Sequence, residues 1–306
     1  MIKDYILQGC DENPNKILIT FNEIPISYYS FNSNVLRFIK LIKSIRDNSR
    51  IFIDLESQID VLYAVNACNR LGIIPILPPL VSKRIKGVDY YRIAKSTNIL
   101  NKDCIIQYNG DSAKLSCYNE SAIQCIIFTS GTTSDPKAVE LTFGNIYSSA
   151  FQWKDAMKFN KDDIYLNILP LYHISGLSIF YRCLYFGMHH VIGKYKKNSF
   201  GANKLNINYI SIVPKIINDA KLSVDLLRTL QKIKNVIIGG DAISESLFNF
   251  CKKNNINAYA SYGMTETASG VSGYFIKNAD NYEPGYIGNA HKDNEIKIID
   301  NIINIK

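Results

Sequence analysis

Paired cysteines are missing from this chain. Its 7 cysteines stand singly at Cys10, Cys68, Cys104, Cys117, Cys125, Cys183 and Cys251, with no Cys-x-x-Cys and an odd total. That spacing excludes a disulfide framework and a zinc site, and reads as reduced thiols in the cytoplasm. Long apolar runs are absent too: none approaches the ~20 residues that a spanning helix needs. Segment 1–7 breaks into polar residues 8–16 before a signal-peptide core can develop, so a cytoplasmic protein without a membrane span is expected. Basic clusters are short. The net charge is +8, but Arg37, Lys40, Lys43 and Arg46 recur at helical spacing, as on a solvated helix face. No nucleic-acid partner is expected, and the positive excess suits small anionic substrates. There is no internal repeat and no low-complexity linker.

What is present is ordinary globular composition, 47% hydrophobic and 20% charged over 306 residues, enough for a substantial core. Strand-like apolar runs alternate with helix-period segments. Residues 50–54 precede a helical pattern over 58–71, Gly72 in a helix-stop position, and an apolar run over 73–77, which together make one βαβ unit. The alternation resumes with strands at 123–128, 164–169, 209–213, 235–238 and 258–261, and helices at 145–157, 177–185 and 244–251. An amphipathic helix is expected over 35–45. The fold class is therefore α/β, with doubly wound, mostly parallel sheets and flanking helices.

After the apolar run 123–127 comes Phe128-Thr129-Ser130-Gly131-Thr132-Thr133-Ser134-Asp135-Pro136-Lys137. Hydroxyls and backbone N–H groups around a glycine can wrap phosphate oxygens while the lysine adds a point charge. An ordinary P-loop is disfavoured, because Pro136 precedes Lys137 and Ala138 follows it. A plain Ser/Thr-rich turn is the competing reading. Two further segments follow in order: Leu169-Pro170-Leu171-Tyr172-His173-Ile174-Ser175-Gly176-Leu177, and Ala260-Ser261-Tyr262-Gly263-Met264-Thr265-Glu266-Thr267. Together the three resemble the adenylate-forming (AMP-binding) superfamily of acyl-CoA synthetases, firefly luciferase and peptide-synthetase adenylation domains. The run 170–177, with Arg182 after it, looks closest to the o-succinylbenzoate–CoA ligases of menaquinone biosynthesis.

The resemblance implies ATP-dependent activation of a carboxylate to an acyl-adenylate and then a CoA thioester, with ATP, Mg²⁺ and coenzyme A as cofactors. By the motif match, Thr129, Ser130, Gly131, Thr132, Thr133 and Lys137 would grip the β- and γ-phosphates. Ser134 departs from the glycine usual there, which costs roughly 1 kcal/mol if φ must be positive. Thr265 would contact the α-phosphate and Glu266 would hold magnesium, a hard cation that takes carboxylate and water oxygens. Without the flanking match, Thr265-Glu266 would read as a helix cap. Tyr262 would lie against adenine, with Ser261, Gly263 and Met264 in the same nucleotide-binding segment. Gly239, Gly240 and Asp241, at the end of a strand, would line the nucleotide and acyl pockets. Asp241 is a mild departure, and a double-glycine turn is common in any α/β protein. His173 would stand near the carboxylate and acyl phosphate, against the alternative of a satisfied, partly buried histidine. Ser175, Gly176 and Leu177 would shape the acyl pocket. His189, His190 and His291 match nothing and read as structural or surface residues.

In domain terms, residues 1–306 would be the large N-terminal adenylation domain, with 285–306 as the start of its small β-barrel. The C-terminal lid domain that carries the family's catalytic lysine would be absent, either because the chain is a fragment or because it is naturally reduced. Another acyl or aryl acid as substrate, or an ATP-binding partner module, stays open, as does a homo-oligomer.

Overall fold

A computed structural model describes residues 1–44, 50–78, 98–100, 117–129, 137–196, 199–201, 205–299 and 302–305. The chain divides into two compact units, one of residues 1–147 and 170–177, the other of 148–169 and 178–306.

The first unit opens with β1 (Ile2–Lys3), α1 (Tyr5–Glu12), the hairpin β2 (Ile17–Phe21) and β3 (Ile24–Ser27), and α2 (Tyr28–Ser44). Then follow β4 (Arg50–Ile53), α3 (Gln58–Arg70), β5 (Ile74–Leu77), β6 (Asn98–Leu100), β7 (Cys117–Tyr118), β8 (Ile123–Thr129) and β9 (Lys137–Thr142). Its main sheet runs β6-β4-β5-β8-β9. β6, β4, β5 and β8 are parallel and β9 returns antiparallel against β8. α3 is buried almost throughout, as a crossover helix between parallel strands must be, and Gly72 at φ +69° ends it where the sequence places the stop. Phe52, Ile76, Ile126 and Phe128 pack on one face of the sheet. Asp4 does double duty. Its carboxylate accepts from the Ile6 and Leu7 amides to cap α1, and it pairs with Arg70 at 2.7 Å, both side chains buried. The Tyr118 hydroxyl donates to the same carboxylate at 2.8 Å, and Arg70 also donates to Asn32 at 2.6 Å.

α4 (Phe143–Met157) and α5 (Ile174–Phe186) each run from one unit's residues into the other's. The second unit further holds β10 (Ile164–Asn167), β11 (His189–Ile192), β12 (Tyr209–Ile212), α6 (Pro214–Ala220), α7 (Val224–Lys232), β13 (Asn235–Ile238) and α8 (Glu245–Lys253). It continues with β14 (Ala258–Met264), a 3₁₀ turn at Thr265–Thr267, β15 (Ser269–Phe275), β16 (Asn289–Ala290), and the hairpin β17 (Ile296–Ile299) and β18 (Ile302–Ile305). The strands of this unit follow the order β16-β15-β14-β13-β12-β10-β11. β11 through β14 are parallel, while β15 and β16 add antiparallel.

Strand alternation splits the core of this unit into two layers. Ile210, Val236, Ile238 and Ala258 point to one side, where Ile217, Leu230 and Phe248 bring in α6, α7 and α8. Tyr209, Ile237 and Tyr259 point to the other, against Trp153 of α4 and Ile179 of α5. Helices thus cover both faces, the doubly wound arrangement expected. Of the small β-barrel expected from residue 285, the described residues show no closed barrel. β16 extends the edge of the large sheet, and β17 pairs with β18 alone. Among the described residues no helix is long and apolar enough to cross a membrane.

Candidate functional site

In the first unit the phosphate-loop candidates hang on a hairpin. Thr129, the last residue of β8, sits opposite Lys137, the first of β9. Antiparallel pairing therefore brings the two ends of the loop together and leaves Lys137 exposed at its mouth. Ser130, Gly131, Thr132, Thr133 and the departing Ser134 lie outside the described residues. His173 is the N-cap of α5, its carbonyl accepting from Gly176 and Leu177 at 3.1 and 3.0 Å. Its ring lies 4.7 Å from that of Tyr172, and partial burial holds its pKa below the ordinary value, so the imidazole is neutral at pH 7. Leu177 and Gly176 are buried, and Ser175 is exposed at the helix start.

In the second unit the remaining candidates gather at the carboxyl ends of β13 and β14, the edge where doubly wound sheets take ligands. Gly239 follows β13, and a Cβ there would meet Ser261 at 3.5 Å, so the glycine turn and the start of the Ser261–Met264 segment are neighbours. Gly240 has φ +84°, a conformation open to glycine. Asp241 is exposed, its carboxylate accepting from the Ala242 amide at 2.8 Å. It does not start the next helix: Ser244 caps α8 by accepting from Leu247. Gly263 is required by close approach, because a Cβ would fall 2.1 Å from the Ser269 carbonyl oxygen at the β14–β15 irregularity. Thr265 and Glu266 form the 3₁₀ turn that closes this segment, braced by Thr267, whose hydroxyl accepts from the Met264 amide at 3.0 Å. Glu266 and Met264 are exposed, while Tyr262 is half-buried. No ion pair engages Glu266 among the described residues, and the open carboxylate fits a magnesium ligand.

One group stands out that motif reading touched only in passing. Arg182 on α5 is 2% exposed, yet no carboxylate faces it among the described residues. Its guanidinium lies 4.2 Å from the ring of Trp153, the chain's single tryptophan, and it donates to the Ser269 hydroxyl at 2.6 Å. The Tyr165 hydroxyl, itself 2.8 Å from that of Ser211, lies alongside, and the Arg182 Nε has no hydrogen-bond partner among the described residues. Ser269 reaches the guanidinium from a turn in which Ala268 and Ser269 have φ 54° and 131°. The sequence signal was the lone arginine inside the apolar stretch 179–184; Trp153, Tyr165, Ser211 and Ser269 carried none.

The sequence pattern of the family described as "AMP-binding enzyme" matches residues 85–302. The chain belongs to this AMP-binding family. The 2-succinylbenzoate–CoA ligase of Bacillus subtilis (strain 168) is 24% identical over 294 residues, covering 88% of this chain and 60% of that protein. That of Staphylococcus aureus (strain MRSA252) is 36% identical over 155 residues, which is 50% of this chain and 31% of that protein. The chain thus matches 60% and 31% of the length of these curated relatives, less than two thirds of either. Among solved structures, O-succinylbenzoate coenzyme A synthetase (MenE) from Bacillus subtilis in complex with ATP and magnesium ion superposes with a TM-score of 0.84 at 23% identity, covering 99% of this chain and 68% of that one. The N-terminal domain of FACL13 from Mycobacterium tuberculosis gives 0.80 at 17% identity, over 98% of this chain and 85% of that one. At these identities the structures establish the fold of this AMP-binding chain.

Proposed function

We propose that this AMP-binding chain supplies the nucleotide- and acyl-binding part of an AMP-forming ligase that activates 2-succinylbenzoate and passes it to CoA. Arg182 carries the reading. A monocarboxylate spends its one charge at the reacting phosphate, whereas a dicarboxylate retains a second anion, and a buried guanidinium without a counter-ion among the described residues is the group that anion would complete. The names of the curated relatives agree.

In the reaction a carboxylate oxygen bonds to the α-phosphorus, and the bond to the bridging oxygen breaks. Pyrophosphate leaves with that electron pair. The CoA sulfur then attacks the acyl carbon and AMP departs. Thr129 and Lys137, with the loop they bracket, would neutralise the leaving pyrophosphate; Thr265 would donate to the α-phosphate, and neutral His173 would donate to the carboxylate or acyl phosphate. Glu266 would hold magnesium, which supplies positive charge at the phosphates. Tyr262, Ser261, Gly263 and Met264 would face the nucleoside, and Gly239, Gly240 and Asp241 would border it. Ser175, Gly176 and Leu177 would bound the acyl group.

Thermal stabilisation by ligands tests this. MgATP should raise the melting temperature, and 2-succinylbenzoate should add to the shift where benzoate does not. If decanoate adds and 2-succinylbenzoate fails to, the substrate assignment is wrong. If MgATP alone shifts the melting temperature and no acid adds to it, a nucleotide-binding module replaces the enzyme reading.

A further inference from the structure

Behind Arg182 the second unit is built in layers. The Trp153 ring takes the guanidinium on one face, and its edges meet the rings of Tyr259 and His291 at centroid distances of 5.8 and 4.8 Å. Tyr259 and His291 are tied together, hydroxyl to Nε2, at 2.8 Å. Beyond them lies a cavity of about 450 Å³, which they line together with Gln152 and Ala156 of α4 and with Tyr274 and Tyr286. Trp153, 1% exposed, is therefore what stands between the guanidinium and the wall of that cavity. The fit on the near side is tight. Gly270 leaves no room for a Cβ, which would fall 2.5 Å from the Trp153 ring and 2.4 Å from the Ser261 hydroxyl. Among the described residues the indole N–H has no hydrogen-bond partner, so ring packing and the stacked guanidinium hold the ring there.

We infer that Trp153 is the specificity-determining floor of the acyl pocket. It fixes the depth available beyond Arg182 to a one-ring acid, and a shorter residue at 153 would free the volume of the indole between the guanidinium and the wall formed by Tyr259 and His291. The inference rests on the proposal that an acyl group approaches Arg182.

Calorimetry in the presence of MgATP, with 2-succinylbenzoate and its ring-phenylated isomers, separates the two ideas. Binding of the unsubstituted acid to the unaltered chain decides the underlying reading; its absence sinks both. Given that binding, Trp153→Ala should take at least one phenylated isomer about tenfold or more tighter than the unaltered chain does, since rejection by a hydrophobic pocket is worth about 10- to 200-fold per group. Trp153→Leu, a milder truncation, guards against a variant that does not fold. Folded variants that bind every phenylated isomer no better than the unaltered chain overturn the inference. A second readout needs no substitution. Trp153 is the sole tryptophan, so saturating 2-succinylbenzoate should change its emission, and unchanged emission at calorimetric saturation would equally refute a floor in contact with the acid.

Discussion

At Arg182 stability and binding pull in opposite directions. A guanidinium without a carboxylate partner among the described residues loses hydration that cation–π stacking on Trp153 and the Ser269 and Tyr165 hydroxyls only partly replace. Arg182→Met, of similar length and apolar, should leave the melting temperature unchanged or higher. Affinity for 2-succinylbenzoate should fall by about 2 kcal/mol or more, because a buried charge pair loses one partner. A variant that melts earlier and binds the acid normally would make Arg182 a structural residue. Lys137 and Glu266 behave differently. Both are exposed, so Lys137→Ala and Glu266→Ala should barely alter folding, while each weakens MgATP binding by about 1.4 kcal/mol, a tenfold change, or more. Calorimetry showing ordinary MgATP affinity in both would remove them from the nucleotide site.

Among the elements, α1 and α3 depend on one carboxylate. Asp4 caps α1, neutralises buried Arg70 and accepts from Tyr118. Asp4→Ala leaves a buried guanidinium unpaired and two helix amides without their acceptor, and should cost about 3–5 kcal/mol in urea unfolding. A loss below 1 kcal/mol would mean that water takes over these bonds. None of this was readable in the sequence, since Asp4 and Arg70 are far apart in the chain and neither belongs to a motif. Local elements were readable: α3 with its Gly72 stop, β13 and the 258–261 start of β14 all sit where periodicity placed them. β15 was not, because Ser269-Gly270-Val271-Ser272-Gly273 lacks β-branched density and pairs as a strand only through glycines that let neighbouring atoms come close. For the site, motif order marked the candidate residues, and strand register explains why Thr129 meets Lys137. The cluster around Arg182 arises from tertiary packing that no local spacing encodes.

For the second unit as a whole, two buried histidines set a dependence on acidity. Burial, with His189 nearby, pushes His190 down to about 3, and both its ring nitrogens lack hydrogen-bond partners among the described residues. Burial and the adjacent Arg182 charge push His291 down to about 4. Both are therefore neutral in the folded unit and take up protons more readily once unfolded, where the ordinary value of about 6.5 applies. Their contribution is complete above pH ~6.5 and is lost as the pH falls below that value toward 4, because there the unfolded chain binds more protons than the folded one. Each histidine adds at most about 1.4 kcal/mol per pH unit to the decline. Carboxylates add their own slope at lower pH, so the informative quantity is the difference between variants. His190→Leu fills the same apolar site without a titrating group. Its urea-unfolding free energy should fall less steeply than that of the unaltered chain between pH 6.5 and 5, by up to about 1.4 kcal/mol per unit. Parallel slopes over that interval would show that His190 is protonated equally in both states, and hence that its surroundings admit water when folded.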